Sequence, residues 1–241
     1  MKKYGLIGQS LNYSFSRVFF KSFFSKHEID AVYENIELSS IENIQTIMKE
    51  DYDGLNVTIP YKEEIIPYLD IIETEAREIG AVNVLSCSNG KLIGHNTDAY
   101  GFHQSIKPFL TNQHERAIIF GTGGASKAVE YVLKNLGVNV IFISRTPKSK
   151  NQFSYNDLNE NMINACKLIV NCTPVGTFPD AENYISMPFS SLTKNHLVVD
   201  LVYNPSKSMF LQKAEERGAM ILNGESMLKH QALKSWEIWN R

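Results

Sequence analysis

Only three cysteines occur in the 241 residues, Cys87, Cys166 and Cys172, an odd count without C-x-x-C spacing. They fit neither a disulfide framework nor a zinc site, so a reduced compartment is expected. The six histidines, His27, His95, His103, His114, His196 and His230, lack paired ligand spacing, and no metal is expected. No apolar run approaches the ~18–20 residues of a membrane-spanning helix. Met1-Lys2-Lys3 resembles the charged start of a secretory signal. Gly5, Gly8 and Gln9 interrupt what would be its apolar core, so no signal is expected. Neither sign of charge is in excess: 24 Lys+Arg against 26 Asp+Glu leave a formal charge of -2. Without a basic surplus, neither nucleic acid nor an anionic membrane is expected as a partner. Repeats and low-complexity tracts are also missing. A hydrophobic fraction of 43% excludes global disorder. The expectation is a soluble cytoplasmic protein of one large or two small domains.

What is present is an alternation of strand-like and helix-like segments. Lys3–Ile7, Ala31–Leu38 and Gly54–Ile59 read as strands. Between them, Ser14 or Ser16 caps a helix carrying Phe19, Phe20, Phe23 and Phe24. Ser39 or Ser40 opens a second with Ile41, Ile44, Ile47 and Met48 at helical spacing. Asn89-Gly90 between Ala81–Ser86 and Lys91–Gly94 signals a two-residue hairpin. A helix follows from Asp98 to near Pro108, and the domain break falls near residue 100. A second series starts at Ala117, with strands at 117–120, 138–143, 168–171, 197–201 and 220–222 and helices at 206–217 and 225–239. Such alternation predicts an α/β protein with parallel sheets covered on both faces.

Gly121-Thr122-Gly123-Gly124-Ala125-Ser126 sits between a strand and a helix, where backbone N–H groups can meet a pyrophosphate. It departs from G-x-G-x-x-G at its third position, Ser126, and alone reads equally as a plain tight turn. A site preferring NAD carries an acid ~20 residues after the first glycine. Here the next strand ends Ser144-Arg145-Thr146, with Arg145 standing 24 residues beyond Gly121. A guanidinium there suits a 2′-phosphate, and Ser144 and Thr146 can donate further bonds. Lys148 and Lys150 add charge or form a solvated face. Together the loop and the arginine favour NADP.

Further motifs follow one another along most of the chain. They include Gly8-Gln9-Ser10-Leu11-Asn12-Tyr13-Ser14-Phe15-Ser16, Asn56-Val57-Thr58-Ile59-Pro60-Tyr61-Lys62, Gly80-Ala81-Val82-Asn83 and Gly94-His95-Asn96-Thr97-Asp98. Asn171-Cys172-Thr173-Pro174-Val175-Gly176, Asp200 to Pro205, and Gly224 through Met227-Leu228 to Gln231 continue the series. In this order they resemble the shikimate dehydrogenase family. The resemblance implies two lobes: an N-terminal α/β substrate-binding domain over 1–100, onto which a C-terminal helix at about 225–241 packs back, and a Rossmann-like doubly wound NADP-binding domain over 101–224. It implies NADPH-dependent, reversible reduction of 3-dehydroshikimate to shikimate, on the route to chorismate and aromatic amino acids, by a monomer or homodimer acting on a small molecule.

Read against that chemistry, Lys62 is the candidate proton donor and alkoxide stabiliser. Asp98 would hold it and accept from a substrate hydroxyl. Alone, Lys62 reads as a solvated lysine and Asp98 as a helix cap, with Thr97 capping while Asp98 faces the substrate. By resemblance Ser14 and Ser16 take the substrate carboxylate, Thr58, Asn83 and Gln231 its ring hydroxyls, and Tyr203 its carboxylate end. Cofactor contacts are expected from Gly121, Thr122, Gly123, Gly124, Ala125, Ser144, Arg145, Thr146, Thr173 and Gly224. Gly224 reads equally as a turn glycine or as a close approach to the nicotinamide. Four departures stand out: Arg17 replaces a proline, Val84 a threonine, Ser144 an asparagine, and Glu225-Ser226 a glycine-containing step. Two other readings remain, a quinate/shikimate dehydrogenase using NAD or NADP and a non-catalytic nucleotide-binding sensor on the same fold.

Overall fold

The computed structural model describes residues 1–11, 14–42 and 44–241; Asn12 and Tyr13 of the first motif lie outside the described residues. The chain divides into two compact units, Met1–Phe102 with Leu228–Arg241, and His103–Met227.

In the first unit, strands β1 (Lys2–Gly8), β2 (Ala31–Glu37), β3 (Gly54–Val57), β4 (Ile71–Ile72), β5 (Val84–Ser88) and β6 (Lys91–His95) form one sheet ordered β2-β1-β3-β5-β6-β4. Helices α1 (Phe15–Lys26), α2 (Ile44–Asp51), α3 (Tyr61–Glu64) and α4 (Thr74–Ile79) lie between them, and α5 (Asp98–Ile106) follows β6. β1 pairs in parallel with β2 and β3, whereas β5 runs antiparallel to both β3 and β6. The expectation of parallel sheets therefore fails in the middle of this unit. The cause is the hairpin itself: Asn89 and Gly90 both adopt positive φ, 51° and 72°, which turns the strand directly back.

Successive side chains of a strand face opposite sides, and β1 shows it. Tyr4 and Leu6 join an aromatic cluster with Phe20, Phe24, Tyr33 and Trp239, while Ile7 joins Ile44, Met48, Leu55 and Leu85 on the other face. The last helix, α9 (Glu225–Trp239), closes the aromatic side. Its Trp239 stacks on Tyr4 with ring centroids 4.8 Å apart and donates its indole N–H to the Leu85 carbonyl at 2.9 Å. Gly54 makes room for it, since a Cβ there would lie 2.2 Å from the Trp239 ring. Val84 is also buried in this cluster, so the missing hydroxyl at that departure falls on packing and not on the polar site.

The second unit holds β7 (Arg116–Phe120), α6 (Gly124–Asn135), β8 (Asn139–Ile143), β9 (Gln152–Phe153), α7 (Glu160–Ala165), β10 (Leu168–Asn171), β11 (Leu197–Asp200), α8 (Met209–Glu215) and β12 (Met220–Asn223). Its sheet is ordered β12-β11-β10-β7-β8-β9 and every pairing is parallel. Strands covered on both faces read as continuous apolar runs, and Ile118, Ile119, Phe120, Ile169, Val170 and Val198 are fully buried. The strand order reverses between β7 and β10. That reversal is the doubly wound switch point, where ligands of open α/β sheets bind beyond the strand ends.

Candidate active site

Lys62 sits in α3, one turn after β3 ends, and Asp98 opens α5 after β6. Their side chains meet at 2.5 Å, with 15% and 6% of their surfaces exposed. Such burial sets Lys62 apart from a solvated lysine. The backbone fixes the approach: the Val82 N–H donates to the Lys62 carbonyl at 2.8 Å, tying α3 to the segment before β5.

Asn83, from that segment, orients the carboxylate. Its amide oxygen accepts from the Thr97 N–H at 2.7 Å, which forces its NH2 toward Asp98 Oδ1 and Thr97 Oγ1, both at 3.0 Å. One Asp98 oxygen is thereby held by Asn83 and the other by Lys62. The cap of α5 falls to Asn96, whose Oδ1 accepts from the Ala99 N–H at 3.1 Å. The expectation that Thr97 caps is corrected: its hydroxyl is buried among Asn83, Ser235 and Gln231 instead.

The network continues beneath the pair. Gln231, buried on α9, has its Oε1 3.5 Å from Thr97 Oγ1 and donates to the Leu228 carbonyl at 3.1 Å. Asn56 donates to Ser235 Oγ at 2.9 Å and to the Asn83 carbonyl at 3.2 Å, and accepts from the Tyr33 hydroxyl at 2.8 Å. Ser16 hydrogen-bonds Tyr33 in turn, and burial pushes the Tyr33 phenol far up. The sequence singled out Lys62, Asp98, Asn83, Gln231 and Ser16. It gave no role to Tyr33, Asn56 or Ser235 and read Thr97 only as a cap, yet all four join them. The available signals were Asn56 and Thr97 inside quoted motifs and Ser235 one helical turn after Gln231.

The other substrate-side residues are placed differently. Ser14, not Ser16, is the N-cap of α1, accepting from the Arg17 N–H at 3.2 Å. A proline at 17 would have no such donor, so this departure supplies the cap. Thr58 follows β3, where its carbonyl accepts from the Tyr61 N–H at 2.9 Å and turns the chain into α3. Tyr203 lies in the second unit, half-buried after β11.

At the switch point of that unit, Gly121 has φ 95°, a conformation that favours glycine. Gly123 caps α6 without a side chain, and a Cβ there would meet nothing within 4 Å, which leaves an open cradle. Ser126 is turned away, donating to the Gly123 carbonyl at 2.7 Å. Thr173 follows β10, its N–H and hydroxyl both donating to Asn171 Oδ1 at 2.8 and 2.7 Å. A Cβ on Gly121 would come 3.0 Å from the Thr173 methyl, so the two loops pack closely.

Beyond β8, Ser144 is buried with its hydroxyl unpartnered, beside exposed Arg145 and Thr146. An orphaned hydroxyl, a cation and a glycine cradle fit a dinucleotide carrying an extra phosphate. The Tyr155 phenol is raised by burial and drawn partly back by the Arg145 charge. Gly224 has a local reason for its identity: a Cβ would sit 2.1 Å from the Leu201 carbonyl oxygen.

The first unit thus holds a buried cation fixed by an oriented carboxylate, and the second an exposed cation and an unpartnered buried hydroxyl beyond the strand that follows the glycine turn. The family model for the shikimate dehydrogenase substrate binding domain matches residues 6–85. The shikimate dehydrogenase (NADP(+)) of Clostridium botulinum strain Hall is 37% identical over 98% of this chain and 95% of its own length. The crystal structure of shikimate dehydrogenase from Aquifex aeolicus, 34% identical, superposes with a TM-score of 0.87 over 100% of this chain and 92% of that one. That of the Thermus thermophilus enzyme, in complex with NADP(H) and shikimate, is 27% identical with a TM-score of 0.87, covering 99% and 93%. Identity sustained at this level from end to end, on a matching fold, means that this chain belongs to the shikimate dehydrogenase family.

Proposed function

We propose that this protein interconverts 3-dehydroshikimate and shikimate with NADP(H), as the names of its relatives suggest. The observation that carries the reading is the 2.5 Å Lys62–Asp98 pair, buried and oriented by Asn83, in a chain so matched. When bound, the nicotinamide supplies or accepts the hydride. Lys62 then gives the developing alkoxide its proton in the reducing direction and takes it back in the oxidising one. Asp98 keeps the ammonium in place and offers an acceptor to a neighbouring ring hydroxyl. Asn83, Thr58 and Gln231 contact further hydroxyls, and Ser14 and Ser16 the carboxylate.

The first unit takes the role of substrate domain, supported by the family match at residues 6–85. The second takes the role of NADP domain, with the backbone of Gly121, Thr122, Gly123, Gly124 and Ala125 on the pyrophosphate and Ser144, Arg145 and Thr146 on the 2′-phosphate. Thr173 and Gly224 shape its nicotinamide side. Arg145, with no acid at that strand end, favours NADP over a dual-cofactor quinate enzyme. A nucleotide sensor would have no use for the Lys62–Asp98–Asn83 arrangement. Incubating the protein with 3-dehydroshikimate and NADPH tests the reading. The expected result is equimolar loss of NADPH and gain of shikimate by chromatography; no turnover by folded protein contradicts it.

A further inference from the structure

Ser235 is completely buried on α9. Its hydroxyl donates to the Gln231 carbonyl one turn back at 2.9 Å, accepts from Asn56 Nδ2 at 2.9 Å, and lies 3.3 Å from Thr97 Oγ1. The donor directions are constrained. Tyr33 donates to Asn56 Oδ1, so the Asn56 amide can only present its NH2 to Ser235. Thr97 Oγ1 already accepts from the Asn83 NH2, and its one proton has three acceptors within reach, Ser235 Oγ and Asn83 Oδ1 at 3.3 Å and Gln231 Oε1 at 3.5 Å. When that proton goes to Ser235, one donated and two accepted bonds use the whole capacity of its hydroxyl.

We propose that Ser235 is a positioning residue for the Lys62–Asp98 pair, acting through Thr97 and Asn83. The inference rests on the reading above, in which that pair carries the proton. Thr97 feels the hydroxyl directly, and both its N–H and its Oγ1 set the Asn83 amide, which in turn holds Asp98 Oδ1. Removing the Ser235 oxygen leaves a buried Asn56 donor unpaired and the Thr97 proton without this acceptor, so the carboxylate that steadies Lys62 loses a support from behind. Ser235 reaches the substrate only through these neighbours.

The test compares wild type, Ser235→Ala and the near-isosteric Ser235→Cys. Ser235→Ala is expected to lower kcat for shikimate oxidation about 3–10-fold, the worth of one buried hydrogen bond. KM for shikimate should rise less than kcat falls, and NADPH affinity measured by its fluorescence should stay unchanged. Ser235→Cys, with a weak thiol donor, recovers part of kcat and takes the place of Ser235→Ala if that variant does not fold. Wild-type kcat in a folded variant, or loss of fold in both, overturns the inference in favour of a purely structural hydroxyl. Wild-type protein inactive on shikimate would strike the proposed function as well, whereas active wild type with unaffected variants strikes this inference alone.

Discussion

Lys62 gains its chemistry from where it is held. A four-residue helix after Pro60 turns it inward, and a carboxylate fixed by Asn83 meets it there. Lys62→Ala is therefore expected to lower kcat about 10²–10⁴-fold, the usual worth of a positioned general acid, with a far smaller change in shikimate KM. Steady-state kinetics of the purified variant check this; near wild-type kcat removes Lys62 from the reaction. Arg145→Gln should raise KM for NADPH about 10–100-fold, as loss of charge-assisted bonds to a phosphate does, and leave KM for NADH nearly unchanged. Equal effects on both cofactors would assign Arg145 another role. These residues can be read in the sequence because each carries a side chain that is costly or unusual in its motif. Tyr33, Asn56 and Ser235 cannot, since a single polar residue on a buried face does not name its partner 23 or 179 positions away. Gly224 shows the opposite case: its motif points to a ligand, and the Leu201 carbonyl already demands a glycine.

Among the elements, the sequence shows strand and helix alternation and the Asn89-Gly90 hairpin. It hides β4 and β9, two residues each, because neither is long enough to display a period. A repeated T-x-x-H also passes unread. Thr111 to His114 and Thr193 to His196 form the same turn just before β7 and β11, with the threonine N–H donating to histidine Nδ1 at 2.9 and 3.0 Å. Nδ1 must therefore be unprotonated in the fold. Burial lowers the pKa of both histidines; the charge of His196 lowers His114 further, and Lys167 does so for His196. Because the folded values lie below the ordinary 6.5, the unfolded chain takes up protons first as pH falls. Their stabilisation is full above that value and is lost on acidification through the folded values. Asp200 runs the other way. Burial raises it to about 6, so its contribution is present below its ordinary 3.8 and is lost as pH rises through 6. Thermal midpoints measured between about pH 7 and 5 should fall for the wild type, fall less for His114→Asn/His196→Asn, and fall more steeply for Asp200→Asn. Gly54→Ala should cost about 1–3 kcal/mol by pushing Trp239 off its stack, read from denaturant unfolding; an unchanged midpoint would show that α9 docks some other way.

Over the whole molecule, the two sheets divide the work of folding differently. The second is fully parallel, and the glycine turn after its first strand marks the βα start from which that arrangement can be anticipated. The first is mixed, because one hairpin places β5 between β3 and β6, and its register brings Asn83 beside Thr97. No composition or periodicity predicts that adjacency; the ordered motifs point to it only through resemblance. The central claim is that a buried lysine–carboxylate pair and an arginine-marked nucleotide site make one NADP-dependent enzyme. It is tested most directly by initial rates of shikimate oxidation with NADP+ and with NAD+, followed by the near-ultraviolet absorbance of reduced nicotinamide. The expected result is turnover with NADP+ at a kcat/KM about tenfold or more above that with NAD+. Folded protein that binds NADPH yet forms no reduced nicotinamide from shikimate with either cofactor would contradict it.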